Sequence, residues 1–230
     1  ALPGSACVPS VGPYLAASAK AAGKRAVELV GENIRPSDIL TMKAFENAIM
    51  VHAAIAGSTN ALLHLPSIAY ELGLEIKPEL FDEINRRIPY LLNVKPSGKY
   101  PVEYFYAAGG VPAIMEELRD FLHLDAMTVT GKTVGENLDA LADNDYYKEH
   151  EAYYEGSGVE KSQVLFTVEH PLNEEGSIAI FKGNIALEGS VMKHSAVPDE
   201  MKEAVLYARP FDCEEEAIAN ILHGGIHKGE

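Results

Sequence analysis

Apolar residues recur at helical spacing through most of the first 145 positions and at shorter, more alternating spacing after about residue 163. Residues 14 to 31 (YLAASAKAAGKRAVELVG) place Leu15, Ala19, Ala22, Ala26, Leu29 and Val30 on one face, with Gly31 past the end. Residues 42 to 56 repeat Phe45, Ile49, Val51, Ala53 and Ile55, and residues 60 to 73 repeat Ala61, Leu62, Leu63, Leu65, Ile68, Ala69 and Leu72. Two helices in immediate succession are predicted. Pro66 lacks an N–H donor and is expected to kink or split the second. A further helix is predicted over 78 to 88, where Pro78 suits a first turn and Leu80, Ile84 and Ile88 stand at spacing four.

KPSGKY (95 to 100) reads as a turn, AAGGVPAIMEELRDFL as a helix ending near residue 122, AMTVT (126 to 130) as β-prone and TVGENLDALA as a short helix. The Tyr- and Glu-rich stretch from 144 to 158 has no clean period and is expected to be a loop that bridges domains. QVLFTVEHP, SIAIFKGNIA and GSVMKHSAV, broken by Gly, Asn and Pro, read as strands. A last helix in CEEEAIANILHGG has three glutamates in its first turn and glycine at its end, both favoured by the helix dipole and C-terminal geometry. The expected fold class is α/β. A mainly helical part (1–145) leads through a connecting segment (146–162) into a β-rich part (163–230).

The junction AIAGSTNALLHLP concentrates small and polar residues between two helices. Gly57 stands where a helix end accepts a positive φ, and Ser58, Thr59 and Asn60 are all good residues for opening the next helix. A helix N-terminus carries unpaired amide donors and a partial positive charge, so these three are candidates for holding a carboxylate or phosphate; capping alone explains the same residues. Gly109 and Gly110 form a second candidate contact, where backbone can approach a ligand, with a plain turn as the alternative. His64, one turn after Asn60, is read as a buried, hydrogen-bonded histidine. Lys193 and Glu188 are read as solvated charges.

Composition narrows the classes of function. The chain has 230 residues, 47% of them hydrophobic and 23% charged, with a net charge of −15. Such a charge repels a nucleic-acid backbone, so no nucleic-acid partner is expected. No stretch approaches the ~20 apolar residues of a membrane helix, so no membrane partner is expected and a cytoplasmic setting is the default. Cys7 and Cys213 form neither a disulfide framework nor a Cys-x-x-Cys pair. The start at Ala1 without methionine and the turn-like IHKGE at the other end are read as marks of an internal piece of a longer chain.

AGSTNALLHL, KPSGKYPVEYFYAAGGVPAIMEEL, MTVTGKTVGENL, FKGNIALEGSVMKHSAV and ARPFDCEEEAIANILHGGIHKG, in that order, resemble the dihydroxy-acid dehydratase and phosphogluconate dehydratase family, which includes aldonate dehydratases. The resemblance covers nearly all of the chain. It implies a swivelling-barrel-like β-rich part and a hydro-lyase converting a 2,3-dihydroxy acid to a 2-keto acid. It implies an iron-sulfur cluster (2Fe-2S or 4Fe-4S) acting on the C3 hydroxyl, Mg2+ at the carboxylate end, and a serine that takes the C2 proton. In the family the cluster cysteines and most Mg2+ ligands lie upstream of the matched part, and a further metal-ligand glutamate and the catalytic serine lie downstream. Cys7 and Cys213 thus inherit no ligand role, this piece holds no catalytic or metal residue of its own, and it is expected to be inert alone. The Gly-Ser-Thr-Asn turn is implied to line the region near the cofactors.

The chain departs from the family pattern at Ala56, commonly a second glycine, and at Leu187, commonly proline. Pro66 and the lengthened segment 144 to 176 look like the aldonate branch, xylonate dehydratases especially, whereas KPSGKY also resembles the biosynthetic branch. The expectation is a homo-oligomeric enzyme acting on a small sugar acid. The alternatives are dihydroxy-acid dehydratase of branched-chain amino-acid biosynthesis and a non-catalytic acidic helical module that binds a protein partner.

Overall fold

The first predicted helix forms as α1 (Pro13–Gly31) but buries none of its residues. Of its expected apolar face only Leu29 is half-buried, while Leu15, Ala19, Ala22, Ala26 and Val30 are exposed. Arg25 ties the helix down, donating from Nε to the Val129 carbonyl at 2.6 Å and pairing with Glu32. These observations come from a computed structural model that describes residues 2–10 and 13–230. After the short α2 (Pro36–Ile39), α3 (Met42–Ala54) buries Phe45, Ile49, Met50, Ala53 and Ala54, which is why a sequence so apolar on one side stays helical. α4 (Ala61–Glu71) runs unbroken through Pro66, contrary to the expected split: proline removes one N–H donor, and the helix tolerates that single loss. α5 (Pro78–Arg87) then buries Phe81, Ile84 and Asn85 and packs on α3.

The run IPYLLNV that follows is extended and deeply buried, with Ile88, Leu91 and Leu92 at 0 to 2% exposure. Its continuous apolar character has neither helical nor alternating period, so no element was predicted there. The long helix expected up to residue 122 is two short ones, α6 (Glu103–Ala107) and α7 (Gly110–Glu117), divided at Gly109. AMTVT makes only a single bridge, Met127 to Thr133, before α8 (Val134–Asp143), which opens with a reciprocal Thr133–Glu136 cap. The expected loop at 144 to 158 is largely α9 (Tyr146–Glu151) and a 3-10 turn (Ala152–Tyr154). Tertiary contact orders it: Tyr146 and Tyr154 donate to the carbonyls of Gly109 and Tyr104, at 3.2 and 2.6 Å, and the rings pack together.

QVLFTVEHP does not form the expected strand. It contributes to α10 (Lys161–Val164), opened by a Glu160–Gln163 cap, and then meets the buried run through one isolated bridge, Leu92 with Leu165; a second, Tyr90 with Asn173, follows beyond it. The other two runs do pair, as β1 (Ile178–Phe181) antiparallel to β2 (Ser190–Lys193), with Ile178 opposite Lys193. A helical first part and a sheet-bearing second part agree with the expected fold class. The sheet is fastened to α5 by side chains: Asn85 Oδ1 accepts the Ile178 N–H and Asp82 Oδ1 the Ile180 N–H, both at 3.0 Å.

The residues form two compact units, Ala1–Ala196 and Val197–Glu230. The second contains α11 (Asp199–Lys202) and α12 (Glu214–Leu222), the latter with Glu214, Glu215 and Glu216 in its first turn and Gly224 at φ 69° beyond its end, as expected. Within it the Tyr207 amide donates to the Gly229 carbonyl at 2.8 Å. No helix among the described residues is long and apolar enough to cross a membrane.

Asn85 is 1% exposed, and its amide also donates to the Phe81 carbonyl at 2.8 Å. Replacing it by leucine orphans the Ile178 N–H in the core, so Asn85→Leu is expected to cost about 1–3 kcal/mol in urea denaturation despite its added apolar surface.

Candidate functional site

α3 ends in a doubly closed turn. The Gly57 amide donates to the His52 carbonyl at 2.9 Å and the Ala56 amide to the Ala53 carbonyl at 3.3 Å, the pattern in which the residue after the C-cap turns left-handed. That residue is Ala56, at φ 50°, and not Gly57 as the sequence suggested. Glycine is needed at 57 for a different reason. A Cβ there would lie 2.1 Å from His52 Cδ2, because the imidazole folds back over the turn. His52 Nε2 lies 2.8 Å from the Ser58 carbonyl, which can only accept, so Nε2 carries the proton and buried Nδ1 is bare. From β2, Lys193 reaches the Ala56 carbonyl at 2.6 Å.

The chain then enters α4. Asn60, at φ −59° and ψ −24°, is already helical and makes no side-chain cap; the Ser58 hydroxyl instead accepts the Asn60 amide at 3.3 Å. The amides of Ala61 and Leu62 turn inward to the Ser58 and Thr59 carbonyls, each at 3.1 Å. Among the described residues the amides of Ser58, Thr59 and Asn60 donate to no backbone carbonyl, and with Asn60's taken by the Ser58 hydroxyl those of Ser58 and Thr59 remain. Ser58 and Asn60 are exposed and Thr59 is half-buried, so the turn offers two backbone donors beside two hydroxyls and an amide. His64 is exposed, correcting its expected burial: α4 buries only Ala69.

Gly109 and Gly110 are buried and both adopt positive φ, 102° and 61°. A Cβ on Gly109 would come within 2.9 Å of Ala113 Cβ and 3.1 Å of the Tyr147 ring, so close packing requires glycine there. The tyrosines around this turn are deep enough that burial pushes the phenol of Tyr146 up to about 12. An apolar cavity of 160 Å³ lies nearby between Leu2, Pro3, Val111, Pro112 and Leu138.

Burial pulls His52 below its ordinary value, the hydrogen bond to the Ser58 carbonyl opposes this in part, and the positive charge of Lys193 adds a smaller downward push. Burial likewise lowers Lys193. Among the described residues no group of three or more His, Cys, Asp or Glu side chains is placed to hold a metal ion, and Cys7 and Cys213 are free, exposed and in different units. Among the described residues the two separate cysteines fall short of the thiolates that an iron-sulfur cluster takes.

Two family models match the chain: dihydroxy-acid/6-phosphogluconate dehydratase N-terminal over residues 1–137 and the corresponding C-terminal model over 163–230. Proteins named dihydroxy-acid dehydratase are similar along the whole chain. That of Methanosarcina barkeri is 44% identical over 229 residues, that of Acetivibrio thermocellus 44% over 231, and that of Halothermothrix orenii 41% over 232. The chain spans 39% of the length of each of these relatives.

The closing turn makes opposite demands on adjacent positions. Ala56→Gly is expected to raise stability by about 1 kcal/mol, by removing the cost of a left-handed alanine. Gly57→Ala is expected to lower it by about 1–3 kcal/mol, through the clash with His52. Thermal denaturation of the two variants checks both signs. The folded chain keeps His52 neutral where the unfolded chain binds a proton near pH 6.5, so this contribution is complete above that value and is lost as the pH falls below it. Tm is expected to drop between about pH 7 and pH 5, and to drop less in His52→Gln.

Proposed function

Because the chain belongs to the dihydroxy-acid/6-phosphogluconate dehydratase family, we propose that the whole protein is a hydro-lyase that removes water from a 2,3-dihydroxy acid to give a 2-keto acid. The support is the ordered match of both family models, with 44% identity to a relative over the full chain. An iron-sulfur cluster and Mg2+ enter the proposal only as groups of the whole protein, since the described residues supply no site for them.

The part assigned to this chain is orientation. The substrate is a carboxylate, and the Ser58 and Thr59 amides project from the positive end of α4 beside the exposed side chains of Ser58 and Asn60. Amides, hydroxyls and a carboxamide all donate to an anion without taking its proton, so these groups can fix the acid while deprotonation at C2 occurs elsewhere. Gly109 and Gly110, buried and packed on tyrosine, shape the wall rather than touch the acid.

The relatives are named dihydroxy-acid dehydratase, which favours a dihydroxy acid over a sugar acid as substrate; for it we propose the branched aliphatic acid of branched-chain amino-acid biosynthesis. A sugar acid such as xylonate is the second reading, resting on Pro66 and the long segment 144 to 176. The proposal includes a small-molecule substrate, a homo-oligomeric enzyme and a cytoplasmic setting.

The whole protein with Ser58, Thr59 and Asn60 all replaced by alanine is expected to lose roughly 100-fold in kcat/KM while keeping its helical circular dichroism. Unchanged kcat/KM would reduce the three residues to capping. The wild-type ratio of kcat/KM for a branched dihydroxy acid over a pentonate decides between the substrates. Absence of turnover with either, in protein reconstituted with iron, sulfide and Mg2+, would favour the non-catalytic acidic module.

A further inference from the structure

We infer that Lys193 is a positioning residue for the Ser58–Asn60 turn, acting through the carbonyl of Ala56. The inference rests on the assignment of that turn to substrate orientation. Lys193 Nζ donates to the Ala56 oxygen at 2.6 Å, across 137 residues of sequence. No carboxylate lies within 4 Å of this ammonium among the described residues, although the chain carries 34 Asp and Glu. A half-buried lysine that bonds a carbonyl and pairs with no acid in so acidic a protein is placed for that carbonyl.

Stabilising the end of α3 does not require it. The last carbonyls of the helix are already taken: Val51 by the Ile55 amide, His52 by Gly57, Ala53 by Ala56, and Ala54 by Leu91 from the buried extended run. The Ala56 carbonyl lies two residues beyond that of Ala54 and belongs to the peptide that links left-handed Ala56 to Gly57. Holding that oxygen sets the plane of the peptide, and with it the direction in which the chain leaves α3. His52 holds the Ser58 carbonyl at 2.8 Å, two residues further on. The two clamps together leave the entry to α4 little rotational freedom.

Lys193 is itself well anchored. Its backbone is paired with Ile178 across the sheet, and the Ile178 amide is bound by buried Asn85 on α5. The neighbouring His194 ring lies 2.7 Å from the Gly176 carbonyl. The lysine thus carries the rigidity of α5 and β1 to a turn made of small, exposed residues, as a support for site geometry requires.

In the whole protein, Lys193→Met is expected to speed amide hydrogen exchange at Gly57, Ala61 and Leu62, the bonded amides around the turn, and to lower kcat/KM about 10-fold or more, while exchange in the middle of α3 and in α5 stays slow. Lys193→Arg, which can still donate to the Ala56 carbonyl, is expected to recover most of both. Unchanged exchange at Gly57, Ala61 and Leu62, or a uniform loss of protection through α3 and α5 with a matching fall in Tm, would overturn the inference. The alanine triple variant separates the two claims. If it retains full kcat/KM, the orientation role fails and with it this inference's functional half, whereas an impaired triple variant beside an unaffected Lys193→Met overturns the lysine's role alone.

Discussion

The buried amide of Asn85 is the constraint on which the rest of the first unit depends. Its oxygen takes the Ile178 N–H that would otherwise be an unpaired edge donor, and its nitrogen satisfies the Phe81 carbonyl in its own helix. The chain can approach so closely only because residue 176 is glycine: a Cβ there would lie 2.4 Å from Asn85 Oδ1 and 2.9 Å from Ala53 Cβ on α3. One side chain thereby sets the spacing of α3, α5 and β1. Sheet register then does the remainder, because fixing Ile178 fixes Lys193 opposite it, and Lys193 reaches the turn that closes α3.

That turn shows how a surface feature can inherit order from a core. Ser58, Thr59 and Asn60 bury little themselves, and a solvated turn of small residues would ordinarily sample many conformations. Here its preceding peptide is held from one side by lysine and its own first carbonyl from the other by histidine. The left-handed alanine stores a modest strain that the double closure of α3 overrides.

The aromatic region around Gly109 uses a different principle. Residues 144 to 158, which pack there, have no clean period, and their order comes from rings packing on rings and on a glycine too crowded for any side chain. The connecting stretch is consequently part of the first unit's packing, with Tyr146 and Tyr154 bonding to backbone carbonyls of the α6–α7 region.

Local pattern alone determined the helices α1, α3, α4, α5, α8 and α12, the two strands that pair, the polar turn between α3 and α4, and the family resemblance, because each rests on short-range periodicity, capping chemistry or ordered motifs. Tertiary structure decided what those signals cannot encode. Which of Ala56 and Gly57 turns left-handed depends on where the His52 ring lies, and whether 88–94 is extended depends on partners near 165 and 173. The expected strand at 163–171 gave way to a helical turn and single bridges for the same reason. Lys193 read as a solvated charge because its acceptor, a carbonyl 137 residues away, leaves no trace in composition or spacing. Distances between remote residues are set by packing the whole core at once, and a linear pattern carries no record of them.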